Sequence, residues 1–417
     1  MKKFIQNYKS TIILILAMVI GCTVGLIFKE KASVLKPFGT IFLNMLFIVI
    51  VPLIFLTVTT SIAKLNKAKR IGKIAKSVVI VFVATSLVAV AVGVATTYNV
   101  PLVSSENKDA ITEEMAPDAQ EPSEDLNLLE RTVEVLTVED FNELLTKDNI
   151  IALLIVSVMI GIAMNMSKKE SEPLLKILLS ANHVVMNLIK IIMYYAPIGI
   201  ACYFASFIGT FGASLAVGYA KTFIIYLVVS LAFFAIIYTL YAYLAGGKKG
   251  IKVFWKNAIA PTVTSLATCS SAACIPVNVT AAKNIGVSDD VAETMIPLGT
   301  SFHKDGSIIG SVFKIMFLVA LFGMDATGGS ALLQIIVVAL LANLLVTAVP
   351  IGGGTISEVL IISMMGFPMG ALPFLTIVAT IIDAPATMLN VVGDTSSSML
   401  AARMIDGPNW MDKKDEE

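Results

Sequence analysis

Apolar residues arrive in long uninterrupted runs along the first 250 positions, beginning near Thr11, Phe38, Lys73, Ile150, Leu174 and Leu215. Several reach the ~20 residues that an α-helix needs to cross a hydrocarbon core. Beyond residue 256 the runs shorten, and small or polar residues appear at their centres. "TSLATCSSAACIPVNVTAAKNIG" predicts a helical hairpin with its tip at 270–276, and "LLANLLVTAVPIGGGTISEVLIISMMGFP" a second one with its tip at 349–354. A long helix follows each, over 291–320 and 371–405, with polar residues at mid-depth. Hairpin, helix, hairpin, helix is an internal repeat, and halves entering from opposite faces mark an inverted-repeat transporter. Irregular backbone survives at membrane depth only where protein buries it or water reaches it, so the two tips are expected to meet around a site.

Composition agrees with a multi-pass α-helical membrane protein. Of 417 residues, 57% are hydrophobic and 14% charged, where a soluble chain carries about a quarter charged. Mean hydropathy is +0.86. Net charge is zero, which points to no nucleic-acid partner. The four cysteines (Cys22, Cys202, Cys269 and Cys274) have neither metal-ligand nor disulfide spacing and read as small buried thiols. "MKKFIQNYK" precedes a full-length span without a small-residue cleavage site, so the first helix is expected to be retained.

Charge distribution sets an orientation. Lys2, Lys3 and Lys9, the cluster Lys64 to Lys76, "SKKESEPLLK" and "GGKKGIKVFWK" fall in alternate loops, which predicts both termini in the cytoplasm. The stretch 106–149 holds fourteen acids against three bases and is expected outside, partly helical in "TVEDFNELL".

The last helix carries the sharpest chemical signal. In "IIDAPATMLNVVGDTSSSML", Asp383, Thr387, Asn390 and Asp394 follow spacings of four, three and four, so they share one helix face. Each carboxylate at the centre of a membrane helix costs roughly 2.5–3.5 kcal/mol. Two on one face call for an ion, a ligand or a partner; the plain alternative is a polar seam between helices. Pro385 removes one backbone donor within that helix. A channel would need a continuous polar pore, whereas these residues converge on one depth. No His-x-x-x-His pair, Cys/His cluster or Ser/Lys dyad at helical spacing suggests an enzyme.

These residues resemble the dicarboxylate/amino acid:cation symporter family. Its last-helix pattern, Asp-x-x-[Arg or small]-Thr-x-x-Asn-x-x-Gly-Asp, is matched by Asp383, Ala386, Thr387, Asn390, Gly393 and Asp394. Ser270, Ser271 and Pro276 stand for its serine-rich first tip; Pro350, Gly352 and Gly353 for its second, the hairpin gate; "MYYAPIGI" (193–200) resembles its fifth helix. The resemblance implies an all-α fold of eight membrane helices and two re-entrant hairpins, a homotrimer in the plasma membrane, and an elevator motion. In those terms residues 1–72 are scaffold helices 1–2, 73–98 the third helix in the transport domain, 99–149 the extracellular loop, and 150–204 scaffold helices 4–5. Residues 205–256 are the sixth helix and 257–417 the transport core.

The resemblance also implies roles. Asp383 would hold a substrate ammonium; Thr387, Asn390 and the backbone at Ser270–Ser271 its α-carboxylate; Ser307 would line the side-chain pocket. The arginines that grip an acidic side chain are replaced by Ala386 and Cys269, which favours a small neutral amino acid such as Ala, Ser or Thr. An acidic amino acid or dicarboxylate, coupled to Na⁺ or H⁺, is the alternative. No cofactor is expected beyond Na⁺ as a coupling ion, with candidate ligands at Asp305, Asn390 and Asp394, and Thr85 and Ser86 near another sodium position. Where the family has Asn-Met-Asp-Gly-Thr, this chain has His303, Lys304, Asp305, Gly306 and Ser307, and Phe82 stands where the family has Tyr. Imidazole and ammonium offer no oxygen ligands. His303 and Lys304 are therefore expected as built-in cations of the coupling machinery, with sodium dependence reduced or replaced by protons. The alternatives are Lys304 as a counter-ion paired to Asp305 or Asp394, and His303 as a proton relay or a neutral hydrogen-bonding group. Lys314 is expected to snorkel or to meet an acid on the lipid side.

Overall fold

The computed structural model describes residues 9–63, 71–103, 137–146, 149–167, 169–211, 214–326, 328–344 and 353–411. Among these residues the protein is helical throughout, with no strand. Helix α1 (Lys9–Phe28) runs through a 3₁₀ turn (Lys29–Leu35) into α2 (Lys36–Ala63); α3 is Ile71–Thr97, α4 Ile150–Met166 and α5 Glu172–Phe211. Helix α6 (Ser214–Ala232) passes through a π turn (Phe233–Ile237) into α7 (Tyr238–Thr268). Helices α8 (Ser271–Ile285), α9 (Asp289–Phe302), α10 (Asp305–Phe322), α11 (Gly329–Leu344), α12 (Gly353–Met365) and α13 (Leu372–Asp406) complete the chain. In the acidic stretch, the expected helix is one turn, Phe141–Leu144.

Among the described residues, five helical stretches are long and apolar enough to cross a membrane by length and composition: 76–97, 172–192, 215–268, 289–322 and 369–406. Their surroundings differ. The 289–322 stretch is enclosed by other helices, whereas the first half of α5 presents most of its surface outward. Tyr194, Ile191 and Ile198 of α5 and Ile48 of α2 are exposed apolar side chains, as expected of helices whose solvent is lipid. This is a multi-pass membrane protein.

Packing divides the helices into two groups. Helices α1, α2, α4 and α5 lie chiefly against one another, while α3 and α6 to α13 pack around α13. Two boundaries differ from the expected ones. Helix α5 runs to Phe211 rather than ending at 204, because nothing in "FASFIGTF" breaks it. The sixth helix ends not at 256 but at Gly246–Gly247, where non-helical angles (Gly247 φ 61°) bend the chain. The residues beyond that bend continue as helix to Thr268, directly before the turn at Cys269.

The turn between α7 and α8 is also narrower than the expected 270–276. Cys269 adopts the left-handed conformation (φ 46°) and Ser270 is extended, its hydroxyl capping α8 by accepting from the Ala273 amide at 3.3 Å. Pro276 lies inside α8, past its first turn, rather than at the tip, and so removes one amide from that helix. Gly353 opens α12; Pro350 and Gly352 lie outside the described residues.

Candidate functional site

Two breaks and one continuous helix build the site. The chain unwinds at His303 and Lys304, between α9 and α10, where His303 is extended and Lys304 takes other non-helical angles (φ −143°, ψ 66°). The Cys269–Ser270 turn is the other break. Helix α13 runs past both and presents its polar face to them.

His303 sits at the centre of a polar cluster and is completely buried. Its Nδ1 lies 3.0 Å from Asp394 Oδ1, and its Nε2 lies 3.2 Å from Asp305 Oδ1. Thr85 Oγ1 is 2.8 Å and Ser397 Oγ 3.3 Å from the same Nε2. Phe82 stacks on the imidazole, ring centroids 4.7 Å apart. The remaining Asp305 oxygen accepts from the Tyr238 hydroxyl at 3.3 Å, and that hydroxyl also lies 2.6 Å from the Leu389 carbonyl. The π turn immediately before Tyr238 rotates the helix and so sets where this hydroxyl points. Lys304 flanks the cluster and interacts electrostatically with Asp394. Ser86, one residue along α3 from Thr85, is buried beside it in sequence.

One turn back along α13, Asn390 meets the start of α10. Its Oδ1 accepts from the Ser307 amide at 3.1 Å, and its Nδ2 donates to Ser307 Oγ at 2.9 Å. Both ends of the amide are thus engaged by one residue. Gly306 lies against Ala386, so close that a β-carbon on Gly306 would collide with the Ala386 carbonyl oxygen. The Gly306 carbonyl accepts from Tyr226 at 2.8 Å.

Asp383 lies two helical turns further from the histidine cluster. Its carboxylate accepts from Thr387 at 3.5 Å and from the Cys269 thiol, both uncharged donors. The expected face therefore splits into two places: Asp383 and Thr387 beside Cys269, and Asp394 with His303, Asp305 and Thr85. Asn390 and Ser307 stand between them.

Several residues of the site were not picked out from sequence. Tyr226, Tyr238 and Ser397 are polar groups in apolar or small-residue stretches, which give no hint of their long-range partners. Asn278 on α8 donates to the Val391 carbonyl at 2.8 Å and accepts from the Thr395 hydroxyl, bracing α8 to α13. Lys314 corrects an expectation: it is buried, with Nζ 3.9 Å from Glu358 Oε1 on α12, rather than reaching toward lipid.

Comparison with known proteins places the same residues in context. The sodium:dicarboxylate symporter family matches over residues 11–404. The chain is 24% identical to the proton/sodium-glutamate symport protein of Geobacillus stearothermophilus, covering 93% of this chain and 92% of that one. It is also 24% identical to the C4-dicarboxylate transport protein of Bacillus subtilis (strain 168), over 94% and 93% of the two chains. A C4-dicarboxylate transport protein of Rhizobium johnstonii is 25% identical, over 93% and 87%. With a match spanning nearly every helix, the chain belongs to the sodium:dicarboxylate symporter family.

Proposed function

We propose that this symporter takes up a small neutral amino acid, with the substrate ammonium on Asp383 and its carboxylate among Thr387, Asn390 and the Ser270–Ser271 backbone. The observation that carries the reading is the company of Asp383: a carboxylate between helices whose donors, Thr387 and Cys269, are both neutral. Such a group is complemented by a mobile cation, and a zwitterion supplies one. A second carboxylate on the substrate would need a donor of its own. Of the chain's three arginines, Arg403 stands twenty residues from Asp383 on the same helix, about 30 Å away at 1.5 Å per residue. Arg70 and Arg131 lie outside the described residues.

An acidic amino acid or C4-dicarboxylate is the second reading. The names of the relatives favour it, and Lys304 would then be the available cation. Uptake into proteoliposomes, competed with Ala, Ser, Glu and malate, separates the two. Competition by Ala or Ser, lost in Asp383→Asn, supports the neutral amino acid. Competition by Glu or malate alone, or Asp383→Asn binding Ala within threefold of the parent, rejects it.

Transport follows an elevator scheme in this reading: the helices around α13 carry the site past a scaffold of α1, α2, α4 and α5. The segregated packing of the two groups supports it. Helices α7–α8 and α11–α12 act as the re-entrant hairpins, the scaffold forms a homotrimer in the plasma membrane, and both termini are cytoplasmic. Cross-linking to a trimer, with the 99–149 loop accessible from outside, is the expected result.

A further inference from the structure

The family's name implies a sodium ion, and a hard cation needs several oxygen ligands converging on an open position. The convergent oxygens here are those of Asp305, Asp394, Thr85 and Ser397, and the His303 ring stands among them. Nδ1 meets Asp394 at 3.0 Å; Nε2 meets Thr85 at 2.8 Å, Asp305 at 3.2 Å and Ser397 at 3.3 Å. Thr85 has a single proton, and the Val81 carbonyl 2.9 Å away receives it, so its oxygen is left to accept from Nε2. Nε2 therefore donates to the Thr85 hydroxyl and Nδ1 faces the Asp394 carboxylate, while Asp305 Oδ1 lies at ion-pair distance without a hydrogen bond of its own, an arrangement that suits an imidazolium between two carboxylates.

The ring is crowded by its neighbours, and of the surrounding carboxylate oxygens only Asp305 Oδ1 and Asp394 Oδ2 are buried without a hydrogen-bond partner, fewer than the several converging ligands that a sodium ion takes. Phe82 covers one face, and no hydroxyl is offered from that position. Gly393 lies so near that a β-carbon there would stand 3.2 Å from His303 Cε1 and 3.1 Å from Asp305 Oδ2. Charge balances as well: His303 and Lys304 answer Asp305 and Asp394, so the cluster is neutral with no ion added. The residues present do not fit a sodium ion at this place.

We propose that the His303 side chain takes the seat of a cation between Asp305, Asp394 and Thr85, so that this part of the protein orders without sodium. The inference concerns the ion and stands apart from the choice of substrate. Lys304, expected as the principal built-in cation, flanks the seat; His303 fills it.

The test uses the purified full chain and sodium alone, without substrate. Thermal unfolding midpoints are compared in NaCl and in choline chloride at equal ionic strength, for the parent and for His303→Asn, which removes the cation and returns an amide oxygen. Any species that binds only the folded state raises the midpoint with its concentration. The parent is expected to show the same midpoint in both salts. His303→Asn is expected to start lower in choline chloride and to recover saturably with NaCl. A saturable, sodium-specific rise in the parent overturns the proposal, and so does a folded His303→Asn protein indifferent to sodium. If the variant does not fold, the parent comparison decides alone. Because no substrate is present, failure here is distinguishable from failure of the neutral amino acid reading.

Discussion

Replacing Lys314 by Met leaves Glu358 as a carboxylate inside the protein with only the Thr376 hydroxyl, which donates to its Oε2 at 2.8 Å. The two charged residues are 6% and 1% exposed, so neither can turn to water when its partner goes. At the observed 3.9 Å separation, an effective dielectric constant near 20 gives an attraction of about 4 kcal/mol. Desolvating two ions costs several kcal/mol each, so the pair as a whole contributes little net stability. Breaking it is different: one orphaned charge costs about 3–5 kcal/mol. The expected order of unfolding midpoints in detergent is parent, then Lys314→Met/Glu358→Leu close beneath it, then Lys314→Met and Glu358→Leu well below. The double-mutant cycle isolates the coupling. If the single effects add to the double effect within about 0.5 kcal/mol, the 3.9 Å approach carries no coupling and the reasoning fails.

Gly306→Ala should cost about 1–3 kcal/mol of stability through overpacking, because the new methyl meets the Ala386 backbone carbonyl rather than a side chain that can swing aside. Equal unfolding midpoints for parent and variant would contradict the close approach of α10 and α13. Asn278→Ala should cost about 1–3 kcal/mol, since the Val391 carbonyl and Thr395 hydroxyl lose a buried partner. Thermal unfolding measures this too, and a loss under about 0.5 kcal/mol would mean that Asn278 does not brace α8 against α13.

What could be read from the sequence was what depends on period and on local breaks. The stripe from Asp383 to Asp394 stood out because helical geometry places those spacings on one face whatever surrounds the helix. The long helix expected over 291–320 is interrupted at His303–Lys304, a break that nothing local in the sequence forces. The reach of the first tip was overestimated because a proline in a Ser-rich stretch looks like a turn. In the structure the residues before it complete that turn, and Pro276 is tolerated within α8. The partners of His303 could not be read. Thr85 lies 218 positions away and Asp394 lies 91 away, and no pattern within either helix names the other. Lys314 was misjudged for the same reason: a lone lysine in an apolar helix has two fates, and the choice rests on Glu358, contributed by another helix.

Helix α13 and the start of α10 also connect the two halves of the site. Asp383 and Asp394 are eleven residues apart, about 16.5 Å along the helix, too far for direct interaction through intervening protein. Asn390 lies between them and is held at both ends of its amide by Ser307, two residues from Asp305. The position of Asp305 therefore sets that of Ser307, and Ser307 sets which way the amide beside the substrate residues faces. A dissolved ion in the histidine's place would organise this chain of contacts only while bound, and substrate affinity would follow ion concentration. A side chain organises it permanently. On the proposal above, that arrangement would remove the sodium requirement for binding, but in an elevator cycle a tethered charge would return with the domain and draw no work from a gradient. Each elementary charge carried across gains about 2.3 kcal/mol per 100 mV. In a symporter whose histidine fills this seat and whose unfolding midpoint ignores sodium, the driving ion must therefore be one other than sodium, bound somewhere other than between Asp305 and Asp394.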